Sequence, residues 1–169
     1  MLSPREIAGI LAATQTTLHA ELEALPDAVV NWHPGPEEWC VKEALGHIME
    51  AERRGFNGRI RTILAEDEPD LEGWNQVDVQ RERNDCARDV RELLDEFDRL
   101  RADSVELVSG LAMPDLVRGG NHPQVGYVTV NDLLHEWISH DRNHVRQMLA
   151  NVQSYAFPLM GNCQGFAGE

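Results

Sequence analysis

Residues 129–148 read TVNDLLHEWISHDRNHVRQM. Val130, Leu133, Leu134, Trp137 and Met148 recur at the three- and four-residue intervals that bury one face of a helix. Thr129, with Asp132 three residues on, makes a capping-box-like start, and the pattern predicts a helix from Thr129 to about Asn151. His140 and His144 interrupt the apolar stripe. They are four residues apart, hence one turn apart on one side of the helix. Burying two imidazoles on a core-facing stripe is unfavourable unless something bonds them. An ion is one such partner; carboxylates or backbone groups bonding two half-buried histidines are the other. His135 and His140 are five apart and diverge around the helix, so they cannot share an ion. His135-Glu136 is therefore not the zinc-protease pattern, which needs the second histidine four residues after the first.

Working outward, three more helices are expected. Ser3-Pro4-Arg5-Glu6 is a helix start with serine at the N-cap, and Ile7, Leu11, Leu18, Leu22 and Leu25 share one face up to Pro26. Residues 26–38 form a loop around Pro34, Gly35 and Pro36, with Trp32 and Trp39 expected to plug the end of the core. A second helix is predicted from about Val41 to Leu64, where Gly46, Gly55 and Gly58 weaken helical propensity or permit close packing of a neighbour. Residues 65–76 are an acidic connector. A third helix is predicted from about Val77 to Val108, with a near-heptad stripe. The glycine- and proline-rich stretch 109–128 is a long connector, of the kind that covers a site or packs over a bundle, and its His122 is expected to face solvent or bond backbone. No strand is expected. The reading is all-α: one antiparallel four-helix bundle over residues 1–169, with a tail at about 153–169 that lies over the bundle or against a second subunit.

With 169 residues and 42% hydrophobic residues, the chain suits one folded domain with a proper core. Its net charge of −14 argues against a nucleic-acid backbone or an anionic membrane as partner. The three cysteines, Cys40, Cys86 and Cys163, are odd in number and widely spaced, so neither a disulfide framework nor a CxxC metal site is readable. A reduced, cytoplasmic home is expected. The N-terminus lacks a signal-peptide pattern, and no run is long and apolar enough to span a membrane.

A third histidine strengthens the metal reading. His47 lies at the stripe edge of the second helix, with Glu43 and Glu50 on the same side. Helices of a bundle can present such groups inward together, and three imidazoles leave a coordination position for substrate. Asp141 and Gln147 follow the ligands closely enough to fix imidazole tautomers; Asp141 as a solvated surface charge is the equal alternative. Glu43 reads either as an acceptor near His47 or as an ordinary surface carboxylate.

These residues also carry a resemblance. His140-Asp141-x-x-His144-x-x-Gln147 resembles the closing-helix signature of the DinB-like (damage-inducible, YfiT-like) superfamily. Trp39-x-x-x-Glu43-Ala44-Leu45-Gly46-His47-Ile48 resembles its second-helix motif, and His122-Pro123 through Gly126 to Thr129-Val130 the loop leading into the last helix. Cys40 departs from the serine or threonine that caps this helix in many relatives. The resemblance implies a four-helix bundle holding a divalent metal through His47, His140 and His144, with zinc or nickel expected. It also implies a small-molecule substrate and, commonly, a homodimer. Characterised relatives include S-transferases that use mycothiol or bacillithiol and a mycothiol-dependent maleylpyruvate isomerase. The expected function is a metal-dependent transferase adding a low-molecular-weight thiol to an electrophile, because an ion lowers the pKa of a bound thiol. The alternatives are a metal-dependent hydrolase or isomerase on the same site, or a non-enzymatic, stress-associated metal-binding bundle.

Overall fold

The computed structural model describes residues 2–167. Helix α1 (Pro4–Leu22) opens on the expected capping box: Ser3 N donates to Glu6 Oε2 at 2.7 Å. A short helix α2 (Asp27–Val30) follows Pro26. The second long helix is continuous but not uniform. It begins as α3 (Val41–Glu50), widens into a π-helical turn (Ala51–Phe56) and resumes as α4 (Asn57–Ala65). Gly58 makes the wide turn feasible, because a Cβ there would lie 2.4 Å from the Arg53 carbonyl oxygen.

The third helix departs from the sequence expectation of one element over 77–108. Helix α5 (Gln76–Arg83) stops at Asn84, whose φ of 50° is left-handed. A 3₁₀ turn (Asp85–Ala87) intervenes, and α6 (Val90–Gly110) restarts behind Asp89, whose side chain accepts from Arg91 N at 2.7 Å. Asparagine and aspartate bond their own backbone readily; α5 buries no residue, and the apolar stripe begins only beyond this break. Gly46 lets this turn dock on α3: a Cβ would meet the Asp85 carboxylate at 1.8 Å.

The expectation of no strands is also corrected. Strands β1 (Gly119–His122) and β2 (Gly126–Thr129) form an antiparallel hairpin, paired from Gly119↔Thr129 to His122↔Gly126. Its glycines hide the two-residue alternation by which strands are recognised. Asn121 N donates to the Pro69 carbonyl at 2.8 Å and Leu71 N to the Asn121 carbonyl at 2.9 Å, so the hairpin ties down the acidic connector. Helix α7 (Val130–Ala156) follows, capped by Thr129 and Asp132, and a largely exposed 3₁₀ segment (Phe157–Phe166) ends the described chain.

The four long helices form a bundle in which α1 packs on α6 and α7, and α3 on the same two. Cross-helix bonds set the directions. Gln15 and Leu11 of α1 meet Asp98 and Arg101, so α1 and α6 are antiparallel. His47 and Phe56 meet His140 and Trp137, so the second long helix is antiparallel to α7. Glu52 and Asn57 meet Arg101 and Ser104, so it runs parallel to α6. The long connector 66–89, between α4 and α6, makes the parallel pairing feasible. The core divides into two apolar clusters. One gathers Leu11, Ile60, Val108 and Trp137; the other gathers Leu18, Leu45, Phe97 and Met148.

A polar layer lies between the clusters. Arg101, fully buried, donates to Asp141 Oδ2 at 2.6 Å, to Glu52 Oε1 at 3.1 Å and to the Leu11 carbonyl at 3.0 Å. Burial alone would lower the Arg101 pKa; the Asp141 and Glu52 carboxylates more than reverse it. Burial pushes the Glu52 carboxyl up, and the guanidinium opposes that shift. Removing one member of such a set strands the others. Arg101→Leu is therefore expected to lower stability in urea by about 3–5 kcal/mol. Arg61→Leu, which breaks the exposed pair with Asp103, is expected to cost under about 1 kcal/mol.

Candidate metal centre

His47 sits on the last turns of α3, and His140 and His144 on the facing surface of α7. The bundle brings the three together: one ring nitrogen from each lies within 4.8 Å of the others. His47 Nε2 and His140 Nε2 are 3.0 Å apart, and the His47–His144 and His140–His144 ring centroids are 4.6 and 4.5 Å apart. Nitrogens that bond one ion at roughly 2.0–2.1 Å must stand close to this separation.

Protonation agrees. Burial, aided by the neighbouring His144, lowers the His47 pKa to about 4. Burial and the other two histidines, with Arg101 behind them, lower that of His140 to about 3. Burial also lowers His144. All three are thus neutral near pH 7, the form that ligates metal. His144 Nδ1 donates to Gln147 Oε1 at 2.8 Å, which leaves the Nε2 lone pair free. The donor set fits a divalent ion of borderline softness.

The other sequence candidates are placed differently from one another. Gln147 bonds His144 as described. Asp141 is buried and bonds no imidazole; its carboxylate is held by Arg101. It acts at a distance, opposing the fall in the His144 pKa. Glu43 turns away from His47, accepting from Cys40 N at 2.8 Å and bonding His33 and Gln80. Glu50 binds Arg53, Arg54 and Arg83. His135 bonds the Asn131 carbonyl and takes no part.

Aromatic walls surround the histidines. Trp39 lies 4.8 Å from His47 and 6.2 Å from His144, so it lines the site rather than plugging the core end; Trp32 packs edge-on against Tyr155. Trp74 approaches His47 at 5.7 Å and Phe56 meets His140 edge-on at 5.3 Å. The histidines form the floor of a cleft of about 1730 Å³, to which the hairpin contributes His122 and Val128, and α4 contributes Arg59. His122, expected to face solvent or bond backbone, accepts from Gln124 N at 3.3 Å and also lines this cleft. Trp74, Arg59 and His122 were not readable as site residues, because each reaches the cleft from a connector or from beyond the π-turn. The one available signal was a lone tryptophan in an acidic connector.

The pH dependence of the metal-free protein follows from the low histidine pKa values. Unfolded, His47 and His140 protonate near 6.5; folded, they protonate only near 4 and 3. Between about pH 6.5 and 4 the unfolded chain binds more protons, so stability falls as pH falls through that window. Urea unfolding of the metal-free protein is expected to show a loss of roughly 3–4 kcal/mol from pH 7 to pH 5. That slope flattens in His140→Ala.

Comparison with known proteins accords with this geometry. The DinB superfamily model matches residues 10–148. No curated protein matches the chain. A solved structure, YfiT from Bacillus subtilis, superposes with a TM-score of 0.83 at 16% identity, covering 92% of this chain and 91% of its own. It is described as a probable metal-dependent hydrolase with an unusual four-helix bundle topology. At that identity the likeness establishes the fold, and the family match over most of the sequence establishes the kinship: the chain belongs to the DinB superfamily.

Proposed function

We propose that this protein is a metal-dependent enzyme that joins a low-molecular-weight thiol to an electrophilic small molecule. The observation that carries the reading is the convergence of three neutral imidazoles on the floor of a cleft of about 1730 Å³. Single-ligand pockets run to roughly 300–1,000 Å³, so this cleft has room for a thiol and its acceptor side by side. Zinc or nickel suits the donors. Such an ion supplies a Lewis acid that lowers the pKa of a thiol or water it binds.

The chain's own groups do the rest. Gln147 holds the proton on His144 Nδ1 and so fixes the ligand tautomer. Trp39, Trp74 and Phe56 wall the histidines with apolar surface and limit water around a nucleophilic sulfur. Arg59 lines the cleft, and its Nε is buried without a hydrogen-bond partner while one Nη donates to the Glu72 carbonyl at 3.0 Å. An unpaired guanidinium N–H suits an anionic group on the thiol or its acceptor. Glu136, one turn before His140, lines the same cleft and is the carboxylate we assign to accept the thiol proton.

Hydrolysis at the same centre is the second reading, favoured by the description of YfiT as a probable metal-dependent hydrolase. The two separate on thiol dependence. Metal-stripped and zinc- or nickel-loaded protein are assayed with a chromogenic electrophile, with and without a small thiol. Conjugation that needs both metal and thiol, and that His144→Ala abolishes, is the expected result. Equal rates without metal would sink both readings, and turnover indifferent to thiol would leave only hydrolysis. Arg59→Ala is expected to lower kcat/KM by about tenfold or more, chiefly through KM, as befits a lost charge-assisted bond of about 1.5–3 kcal/mol.

A further inference from the structure

A second group of metal-binding side chains lies outside the cleft. His33 of the loop after α2, Cys40 at the N-cap of α3, Glu43 in its first turn and Cys86 in the 3₁₀ turn bring one ligand atom each within 4.8 Å of one another. Cys40 Sγ and Cys86 Sγ are 2.9 Å apart, Cys86 Sγ is 3.9 Å from His33 Nε2, and His33 Nε2 is 2.9 Å from Glu43 Oε2. The residues come from three segments separated by up to 53 positions, so local sequence does not account for the gathering.

We infer that Cys40, Cys86, His33 and Glu43 form a second metal site, a structural one that takes zinc. Two thiolates, one imidazole and one carboxylate complete a tetrahedron, whereas the three-histidine centre leaves a position open. Sulfur ligands select zinc over harder ions. Parting the two sulfurs by under about 1 Å admits an ion at the usual zinc–sulfur distance of about 2.3 Å. Binding exchanges the two thiol protons for one zinc ion and involves no oxidation. Lys42 donates to the Cys86 carbonyl at 3.3 Å and to the Arg88 carbonyl at 2.6 Å. Its ammonium steadies the turn and offsets the negative charge of two thiolates and a carboxylate around a dication. A disulfide needs only the two sulfurs and does not account for His33 Nε2 lying 3.9 Å from Cys86 Sγ.

The position gives the ion work to do. Cys40 directly follows Trp39, which packs on His47 and His144, and α5, whose Gln76 and Val77 line the cleft, leads into the turn that carries Cys86. A metal there pins one wall of the cleft to α3.

Cobalt(II) titration of the reduced full-length protein tests this without assuming an activity. The three-histidine centre has no sulfur, so a thiolate-to-cobalt charge-transfer band reports the second group alone. The band is expected to saturate at one equivalent in that group, to yield to zinc, to vanish in Cys86→Ser and to persist in Cys163→Ser. His33→Ala and Glu43→Gln should each weaken cobalt affinity about tenfold or more, with folding checked by circular dichroism. His144→Ala should keep the band, which separates failure of this site from failure of the cleft centre. No band in reduced protein, or a band indifferent to His33→Ala and Glu43→Gln, would overturn the assignment. A Cys40–Cys86 disulfide formed in air, with no cobalt affinity after reduction, would overturn it too.

Discussion

Arg101 is the side chain on which the rest of the bundle depends. It lies on α6 with no exposure, and it bonds the carbonyl of Leu11 on α1, Glu52 in the π-turn and Asp141 on α7. One guanidinium therefore touches all four long helices. Buried ion pairs contribute little net stability, because desolvation offsets attraction. They do penalise misregister, since a shifted helix leaves a charge without a partner. Here that constraint fixes the rotation of α7. With Asp141 turned inward to Arg101, its neighbour His140 and the next-turn His144 face α3, where His47 meets them.

The π-turn serves the same constraint from the other side. His47 and Glu52 are five residues apart on one helix. Through them the helix serves two different neighbours: His47 meets α7, and Glu52 meets Arg101 of α6. Widening at Ala51–Phe56 alters the phase of the helix at this junction, and wide turns of this kind recur at functional sites. The connectors then roof the centre. The hairpin holds the acidic stretch around Pro69 and Leu71, and that stretch delivers Trp74 above His47.

Carboxylates show why sequence position misleads about contacts. Glu43, Glu50 and Asp141 all lie within four residues of a ligand histidine, yet none bonds an imidazole of the three-histidine centre. Glu43 closes the N-terminus of α3, in place of the cap that Cys40 supplies poorly, and turns to His33. Glu50 is drawn off by Arg83, which reaches it from another helix, and Asp141 by Arg101. Gln147 alone follows the local expectation, because its partner His144 is three residues away on the same helix face. Helix starts were equally legible: Ser3 with Glu6 and Thr129 with Asp132 bond as their spacing implies. The break at Asn84 and the hairpin were not, since α5 buries no face that would set it apart from α6 and glycines mask the hairpin.

The sequence by itself determined what is periodic or local. Apolar spacing set the long helices, capping pairs set their starts, and the four-residue interval put His140 and His144 on one face. Matching motifs on two helices also singled out His47 before any contact was visible. Tertiary structure alone decided what depends on helices meeting. That includes the parallel and antiparallel pairings, the Arg101 layer between two apolar clusters, the tryptophans over the histidines, and the meeting of Cys40 with Cys86 across 46 residues. The reason is physical. Periodicity records which face of an element is buried, but not which neighbour buries it, and a buried charge finds its partner only once the packed helices have excluded water.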